Sequence, residues 1–247
     1  MKLFFTSDIH LPLFKNEFSL SIERLCNREE EFEVAMFAGD IIDRGKIQHF
    51  SDFFSIIKKC KFKKIISIFG NDEYEEEREK VKKEYSWVIW LDDENVQLNI
   101  ENYTVTVLGT TGVLDVPTKW QYKNIPNIRE KYERRLVLIE KFLKTERRER
   151  ELKILLTHYP PTFKTLQGEL PFLWPQMGSE RAERLIKDLD TLDYVIHGHA
   201  HNGKILDTEI GNTRVFNVAF PARKNIFILE IAKKVLLTDF FSKKSSS

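Results

Sequence analysis

Aspartate, histidine and asparagine recur at the ends of five short apolar runs spread over nearly the whole chain. Leu3 to Ser7 leads into Asp8 and His10, Val34 to Gly39 into Asp40 and Asp43, and Ile65 to Gly70 into Asn71, Asp72 and Glu73. Ile154 to Thr157 leads into His158, and Tyr194 to Gly198 into His199 and His201. Carboxylate, imidazole and amide oxygen form a sulfur-free donor set suited to Mn, Fe, Co, Ni or Zn. Asp8 and His10 stand two apart, so at the end of an extended strand both side chains face one side and can hold one ion. His199 and His201 repeat that spacing around a Gly-His turn. Gly39, Gly70 and Gly198 each precede a candidate ligand, where the backbone must turn sharply or approach an ion closely.

Singly these are weak signals, because a lone strand-end histidine is more often structural than a ligand. Jointly they are specific: of the 6 histidines, His10, His158, His199 and His201 all fall at the ends of runs. His197, inside its run, reads as a packed strand residue, and His49 as helix surface.

Apolar runs of this length read as buried strands, and ligands gather at the carboxyl ends of such strands. One metal site built from five strand ends is therefore expected. The segments between the runs carry helical spacing: Leu20 to Leu25 and Phe50 to Ile57 place apolar residues on one face. Alternating strands and helices make an α/β chain. Glu75 to Glu84 reads as a solvated helix. Arg129 to Lys153 reads as one long helix with Tyr132, Leu136, Ile139, Phe142 and Leu143 on its apolar side. Its interleaved Arg, Lys and Glu describe a salt-bridged exposed face rather than a nucleic-acid stripe. Asn95 to Ile100, Tyr103 to Leu108, Lys204 to Glu209, Thr213 to Val218 and Ile226 to Ile231 cluster β-formers and predict a second, more antiparallel sheet packed on the first.

Lysine plus arginine number 39 and aspartate plus glutamate 38 in 247 residues, so the strong positive field of a phosphate-tracking nucleic-acid binder is missing. Short nucleotides are not excluded by that balance. Cys26 and Cys60 lie in no CxxC pattern, which predicts separate thiols, no thiolate metal site and a reducing compartment. The first strand begins right after Lys2, leaving no room for a secretory leader, and no run reaches the length of a membrane span. A cytoplasmic protein without membrane contact is the expectation. In the absence of a linker or composition break, residues 1–242 read as a single domain, with 243–247 as a disordered tail.

Asp8-x-His10, Gly39-Asp40-x-x-Asp43, Gly70-Asn71-Asp72-Glu73, the isolated His158 and Gly198-His199-x-His201, in that order, resemble the signature of the calcineurin-like metallophosphoesterases. The resemblance covers residues 8 to 201. It implies a four-layer α/β/β/α sandwich of two mixed β-sheets flanked by helices. It also implies two divalent transition-metal ions, manganese ahead of iron, zinc, nickel or cobalt. By that resemblance Asp8, His10 and His201 hold the first ion, Asn71, His158 and His199 the second, and Asp40 bridges both. Asp43 orients a ligand rather than binding an ion, and Arg44 pairs with Asp43 or reaches the phosphate.

Two such ions can share a water, lower its pKa and present hydroxide to a phosphate ester, so the implied reaction is hydrolysis without a covalent enzyme intermediate. Many relatives carry histidine after the motif asparagine, where it helps to protonate the leaving group; this chain has Asp72. A carboxylate beside cations is a poor general acid at neutral pH and repels a dianionic monoester more than a monoanionic diester. A phosphodiesterase is thus expected, with a phosphomonoesterase or protein phosphatase as one alternative and a non-catalytic metal-binding scaffold as the other. Trp120, Gln121, Tyr122, Tyr159, Glu169 and Trp174 are expected at the rim.

Overall fold

The computed structural model describes residues 1–26 and 31–232; the tail expected at 243–247 and the end of the expected domain lie outside them. The chain opens with β1 (Lys2–Thr6), α1 (Lys15–Cys26), β2 (Glu31–Ala38), α2 (Phe50–Ile57), β3 (Lys61–Ile68), α3 (Glu75–Glu84) and β4 (Ile89–Leu91). It continues through β5 (Glu94–Ile100), β6 (Tyr103–Thr110), α4 (Lys119–Asn124), α5 (Ile128–Leu143) and β7 (Glu151–Thr157). After α6 (Glu180–Leu189) come β8 (Tyr194–His197), β9 (Asp207–Ile210), β10 (Thr213–Asn217), α7 (Phe220–Arg223) and β11 (Phe227–Glu230).

These strands form two mixed sheets, ordered β11-β1-β2-β3-β4 and β5-β6-β7-β8-β10-β9. β1 to β4 run parallel, as do β6, β7, β8 and β10, while β11, β5 and β9 are antiparallel edge strands. The second sheet therefore has a parallel centre, less antiparallel than its sequence suggested. Ile226 to Ile231 also departs from expectation, because β11 joins the first sheet, pairing Leu3 with Leu229. It is drawn there by Phe227 and Leu229, which pack into the core between the sheets.

Side chains of successive strand residues point to opposite faces, and here each face has its own core. Leu3 and Phe5 of β1 and Val34 and Met36 of β2 meet Val105, Val107, Ile154, Leu156, Ile196 and Phe216 between the sheets. Phe4, Ala35 and Phe37 point outward to Phe18 and Ile22 of α1 and Phe50, Phe53 and Phe54 of α2. Leu108, Leu155, Val195 and Val215 point the other way, onto Leu136, Ile139 and Leu143 of α5 and Ile186 of α6. Helices, sheet, sheet and helices thus form four layers. Each fully buried Phe or Leu side chain contributes ~1.5–3 kcal/mol, so the three clusters are the main source of stability.

Two further expectations need correction. The helix anticipated to Lys153 ends at Leu143, and Glu151 already begins β7. Lys153 is fully buried, and its ammonium donates to the carbonyls of Phe142 (3.0 Å), Leu143 (3.3 Å) and Thr145 (3.0 Å), closing the end of the helix it was assigned to. A cation at a helix C-terminus meets the negative end of the dipole, while burial pulls the Lys153 pKa below its ordinary value. Cys26 and Cys60 are joined as a disulfide, their Cα atoms 5.0 Å apart across 34 residues. The end of α1 and the turn after α2 pack on the same apolar layer, a proximity that spacing in sequence does not reveal. The reducing compartment inferred from separate thiols loses its ground. Among the described residues, no helix is long and apolar enough to cross a membrane.

Candidate metal centre

All five strand ends converge. β1, β2 and β3 deliver Asp8, Asp40 and Asn71 from one sheet, and β7 and β8 deliver His158 and His199 from the other, because parallel strands in two stacked sheets present their carboxyl ends at one edge. Asp8 (φ 55°), His10 (φ 44°), Asp40 (φ 50°) and His199 (φ 66°) all adopt left-handed backbone conformations. Such conformations cost side-chain-bearing residues energy and cluster at functional sites. The turns also need close approach. A Cβ on Gly70 would lie 2.1 Å from Asp40 Oδ1, and one on Gly198 would lie 2.3 Å from Asp8 Oδ2.

Three overlapping donor groups result among the described residues. Asp8, His10 and His201 form one, Asp40, His158 and His199 a second, and His10, Asp40 and Asp72 a third that links them. In the first, His201 Nε2 lies 2.9 Å from Asp8 Oδ1 and 3.2 Å from His10 Nε2. In the second, His158 Nε2 lies 3.3 Å from Asp40 Oδ2 and 3.1 Å from Asn71 Oδ1. Asp40 Oδ2 is also 3.8 Å from His10 Nε2, so one carboxylate oxygen stands between the clusters. Its other oxygen accepts the Asp72 backbone N–H at 2.8 Å.

These donors fit a pair of divalent cations. His158 Nδ1 donates to the Ala38 carbonyl at 2.9 Å, which leaves Nε2 with a lone pair aimed at Asp40 and Asn71. His10 Nδ1 donates to Asp72 Oδ2 at 3.1 Å, which does the same for its Nε2. His10 Nε2 and His201 Nε2 lie 3.2 Å apart, close enough for one cation to take both as ligands. Carboxylate or carbonyl partners of this kind fix the tautomer and raise ligand basicity.

The electrostatics of the metal-free cluster are those of a site awaiting positive charge. Burial disfavours imidazolium at His10, yet Asp72, Asp40 and Asp8 override it and push the pKa up to about 9. Burial likewise opposes charge on His158, but Asp40 and Asp8 push it up to about 10. Asp8 is fully buried, which by itself would raise it; the contact with His201 and the surrounding imidazoles hold it well below the usual carboxylate range. His199 goes the other way, held well below its ordinary value by burial and by the charge of His158.

The remaining expected site residues divide. Asp72 is half-buried beside His10, its carboxylate also accepting the Arg44 backbone N–H (3.2 Å) and the Asn71 amide (3.1 Å). Burial favours its neutral form, but the His10, Arg44 and Asn71 contacts lower its pKa overall. Asp43 meets Lys46 Nζ at 2.7 Å and Arg44 Nε at 3.8 Å, the pairing with Arg44 being one of the two roles expected for that arginine. Arg44 is exposed at the mouth of a pocket of about 920 Å³ that shares Asn71, Asp72 and His199 with the centre. Trp120, Gln121 and Tyr159 line that pocket, whereas Tyr122 turns to Arg129, with Arg129 Nε donating to its hydroxyl at 2.6 Å. Glu169 accepts from the Asn202 backbone and amide beside His201, and its own carbonyl accepts from Trp174 Nε1. His197 is buried, Nδ1 bonded to the Gly198 carbonyl, and burial pushes it down to about 4. It is a packed strand residue, as its place inside an apolar run indicated. His49 is half-buried against Asp52 at 2.9 Å.

Sequence reasoning quoted Glu73 but assigned it no role. Its buried carboxylate accepts the backbone N–H groups of Asp40 (2.9 Å), Gly70 (2.7 Å), Ile41 (2.7 Å) and Ile42 (3.2 Å), tying the loop of the shared Asp40 to the end of β3. Burial and the Asp40 charge push its pKa up to about 7. The available signal was an acidic residue two beyond the candidate ligand Asn71, where no further ligand was needed. Ser7 was also missed; its hydroxyl donates to Asp8 Oδ2 at 2.5 Å.

Among solved structures, the phosphopantetheinyl hydrolase of Mycobacterium tuberculosis aligns with a TM-score of 0.64 at 13% identity, covering 90% of both chains. GAP50 of Plasmodium, described as the anchor in the inner membrane complex, aligns at 0.59 and 10% identity, covering 90% of this chain and 72% of that one. TT1561 of Thermus thermophilus aligns at 0.54 and 15% identity, covering 94% and 99%. At such identities the likeness concerns the fold. No curated protein sequence matches the chain. The sequence model of the calcineurin-like phosphoesterases matches residues 1–203, which include every candidate ligand, and the chain belongs to that family.

Proposed function

We propose that this chain hydrolyses phosphate esters at a pair of divalent ions and prefers diesters to monoesters. The observation that carries the reading is Asp40 Oδ2, which lies 3.8 Å from His10 Nε2 of one donor group and 3.3 Å from His158 Nε2 of the other. Asp8, His10 and His201 would hold one ion and Asn71, His158 and His199 the other, with Asp40 between them. Bound there, the ions supply Lewis acidity and a nucleophile from water at neutral pH.

The chain's own residues do the positioning. Asp72 holds the His10 ring, Glu73 holds the Asp40 loop, and the Ala38 carbonyl holds His158. Asp72 supports the diester preference. Its lowered pKa keeps it anionic near neutrality, so it repels the second negative charge of a monoester and has no proton to give a leaving group. Manganese remains the first metal to supply.

The test compares bis(4-nitrophenyl) phosphate with 4-nitrophenyl phosphate on chain reconstituted with Mn²⁺, with bound metal counted by elemental analysis. Diester turnover that exceeds monoester turnover and falls at least about hundredfold in Asp40→Asn is expected. Two bound ions without turnover of either ester would instead favour a metal-binding scaffold, and a strong monoester preference would overturn the role given to Asp72.

A further inference from the structure

The pocket of about 920 Å³ beside the centre is larger than a phosphate needs, and its lining differs from that of the metal cluster. One wall is aromatic. Trp120 is 54% exposed, and its ring lies 6.2 Å from that of Tyr74 with 25° between the planes. Beside a pocket, such an indole face is a large rigid surface on which a flat ligand can stack. Trp120 is also held in place: Thr118 and Gln121 form a reciprocal capping box at the start of α4, and the Asn124 amide donates to the Trp120 carbonyl at 2.8 Å.

The deeper wall carries an orphaned polar group. Thr111 is 4% exposed and lines the pocket, and its hydroxyl has no hydrogen-bond partner; Tyr132, 3% exposed beside it, interacts with Gln121 and Tyr159. A buried hydroxyl without a partner costs ~1–3 kcal/mol, so such groups are normally satisfied by water or ligand. The amide side chains of Asn124 and Gln176 border the same space. An exposed aromatic face, a buried hydroxyl and amides together suit a planar heterocycle with polar edges. The cations Arg78, Arg135 and Lys131 in the lining are matched by Asp92, Asp93 and Glu75, which makes the deep end unsuited to a second phosphate.

We infer that this pocket is a base-binding subsite, and that the ester processed at the neighbouring centre is a nucleotide ester. The inference rests on the hydrolase reading for the phosphate's position and adds what is attached to it. The base stacks on Trp120 and directs its polar edge to Thr111 and the Asn124 and Gln176 amides. Its phosphate lies toward Asn71 and His199, the ligands that the pocket shares with the centre.

Calorimetry on the full chain supplied with Mn²⁺ tests this without turnover. The probe is the methylene phosphonate analogue of adenosine 5′-monophosphate, whose P–C bond resists hydrolysis, and methylphosphonate is the control. The analogue is expected to bind at least ten times more tightly than methylphosphonate. Trp120→Ala is expected to abolish at least tenfold of that affinity and Trp120→Phe to keep most of it, since base–aromatic stacking is tolerant of the ring used. Both variants should leave methylphosphonate affinity and thermal unfolding unchanged. Equal affinity for analogue and control, or an analogue affinity indifferent to Trp120→Ala, overturns the base subsite while turnover of bis(4-nitrophenyl) phosphate leaves the hydrolase reading standing. Conversely, Trp120-dependent binding in a chain that turns over no ester sustains the subsite and sinks the hydrolase.

Discussion

Glu73→Gln is the most informative single substitution, because it keeps shape and volume while exchanging one acceptor oxygen for a donor. Glu73 Oε2 serves the N–H groups of Asp40 and Gly70, and Oε1 serves those of Ile41 and Ile42. Whichever oxygen becomes NH₂, two buried backbone donors then face a donor. Each buried N–H left unpaired costs ~1–3 kcal/mol, so a loss of about 2–6 kcal/mol is expected. For a chain of this size that lowers Tm by at least about 5 °C. The strained Asp40 turn should relax with it, weakening metal binding by roughly 10–100-fold, the usual consequence of losing a residue that orients a ligand. Urea unfolding in EDTA measures the first effect, and Mn²⁺ titration of the folded variant measures the second. A Glu73→Gln chain within about 0.5 kcal/mol of the parent, with undiminished metal affinity, would refute the idea that this carboxylate organises the centre.

Asp72→Asn retains an acceptor for His10 but removes the charge; with a residual Coulomb term of about 1 kcal/mol for one extra phosphate charge, the monoester-to-diester ratio of kcat/KM should rise roughly fivefold. Stopped assays on the two nitrophenyl esters read this ratio, and an unchanged ratio counts against the charge argument. In the metal-free chain His10 and His158 titrate near 9 and 10, above the ordinary 6.5 of histidine. Their contribution to stability is therefore complete below about 6.5 and lost as pH rises through 9 to 10. Metal binding must displace those protons, so Mn²⁺ affinity should climb over the same window, with proton release visible by calorimetry in buffers of different ionisation enthalpy. An affinity flat from pH 6.5 to about 9 contradicts the assignment. The Cys26–Cys60 bridge closes a 34-residue span, for which chain entropy predicts roughly 3–4 kcal/mol. Reduction, or Cys60→Ala, should cost about that much in urea unfolding, and free thiols in the non-reduced protein would remove the basis for it.

The candidate ligands were legible because metal chemistry restricts residue type and strand ends restrict position. Asp8, His10, Asp40, Asn71, His158, His199 and His201 could be named before any fold was known. The strands and most helices were legible too, since burial on both faces makes Val34 to Ala38 and Ile154 to Leu156 continuously apolar, while α1 and α2 keep helical spacing. Lys153 misled because a lysine in a charged run gives no sign that its ammonium caps the preceding helix from inside a buried strand. Residues Phe227 to Glu230 misled because a short β-forming segment carries no mark of which sheet it will join.

By itself the amino-acid sequence determined the donor set, the strands that carry it and the family, all of which follow from residue type and order along the chain. Only the tertiary structure decided that Asp72 and Glu73 hold other residues in place, that two cysteines meet, and that an aromatic pocket opens beside Asn71 and His199. These depend on distances across two packed sheets, and packing brings together residues whose separation in sequence says nothing about their separation in space.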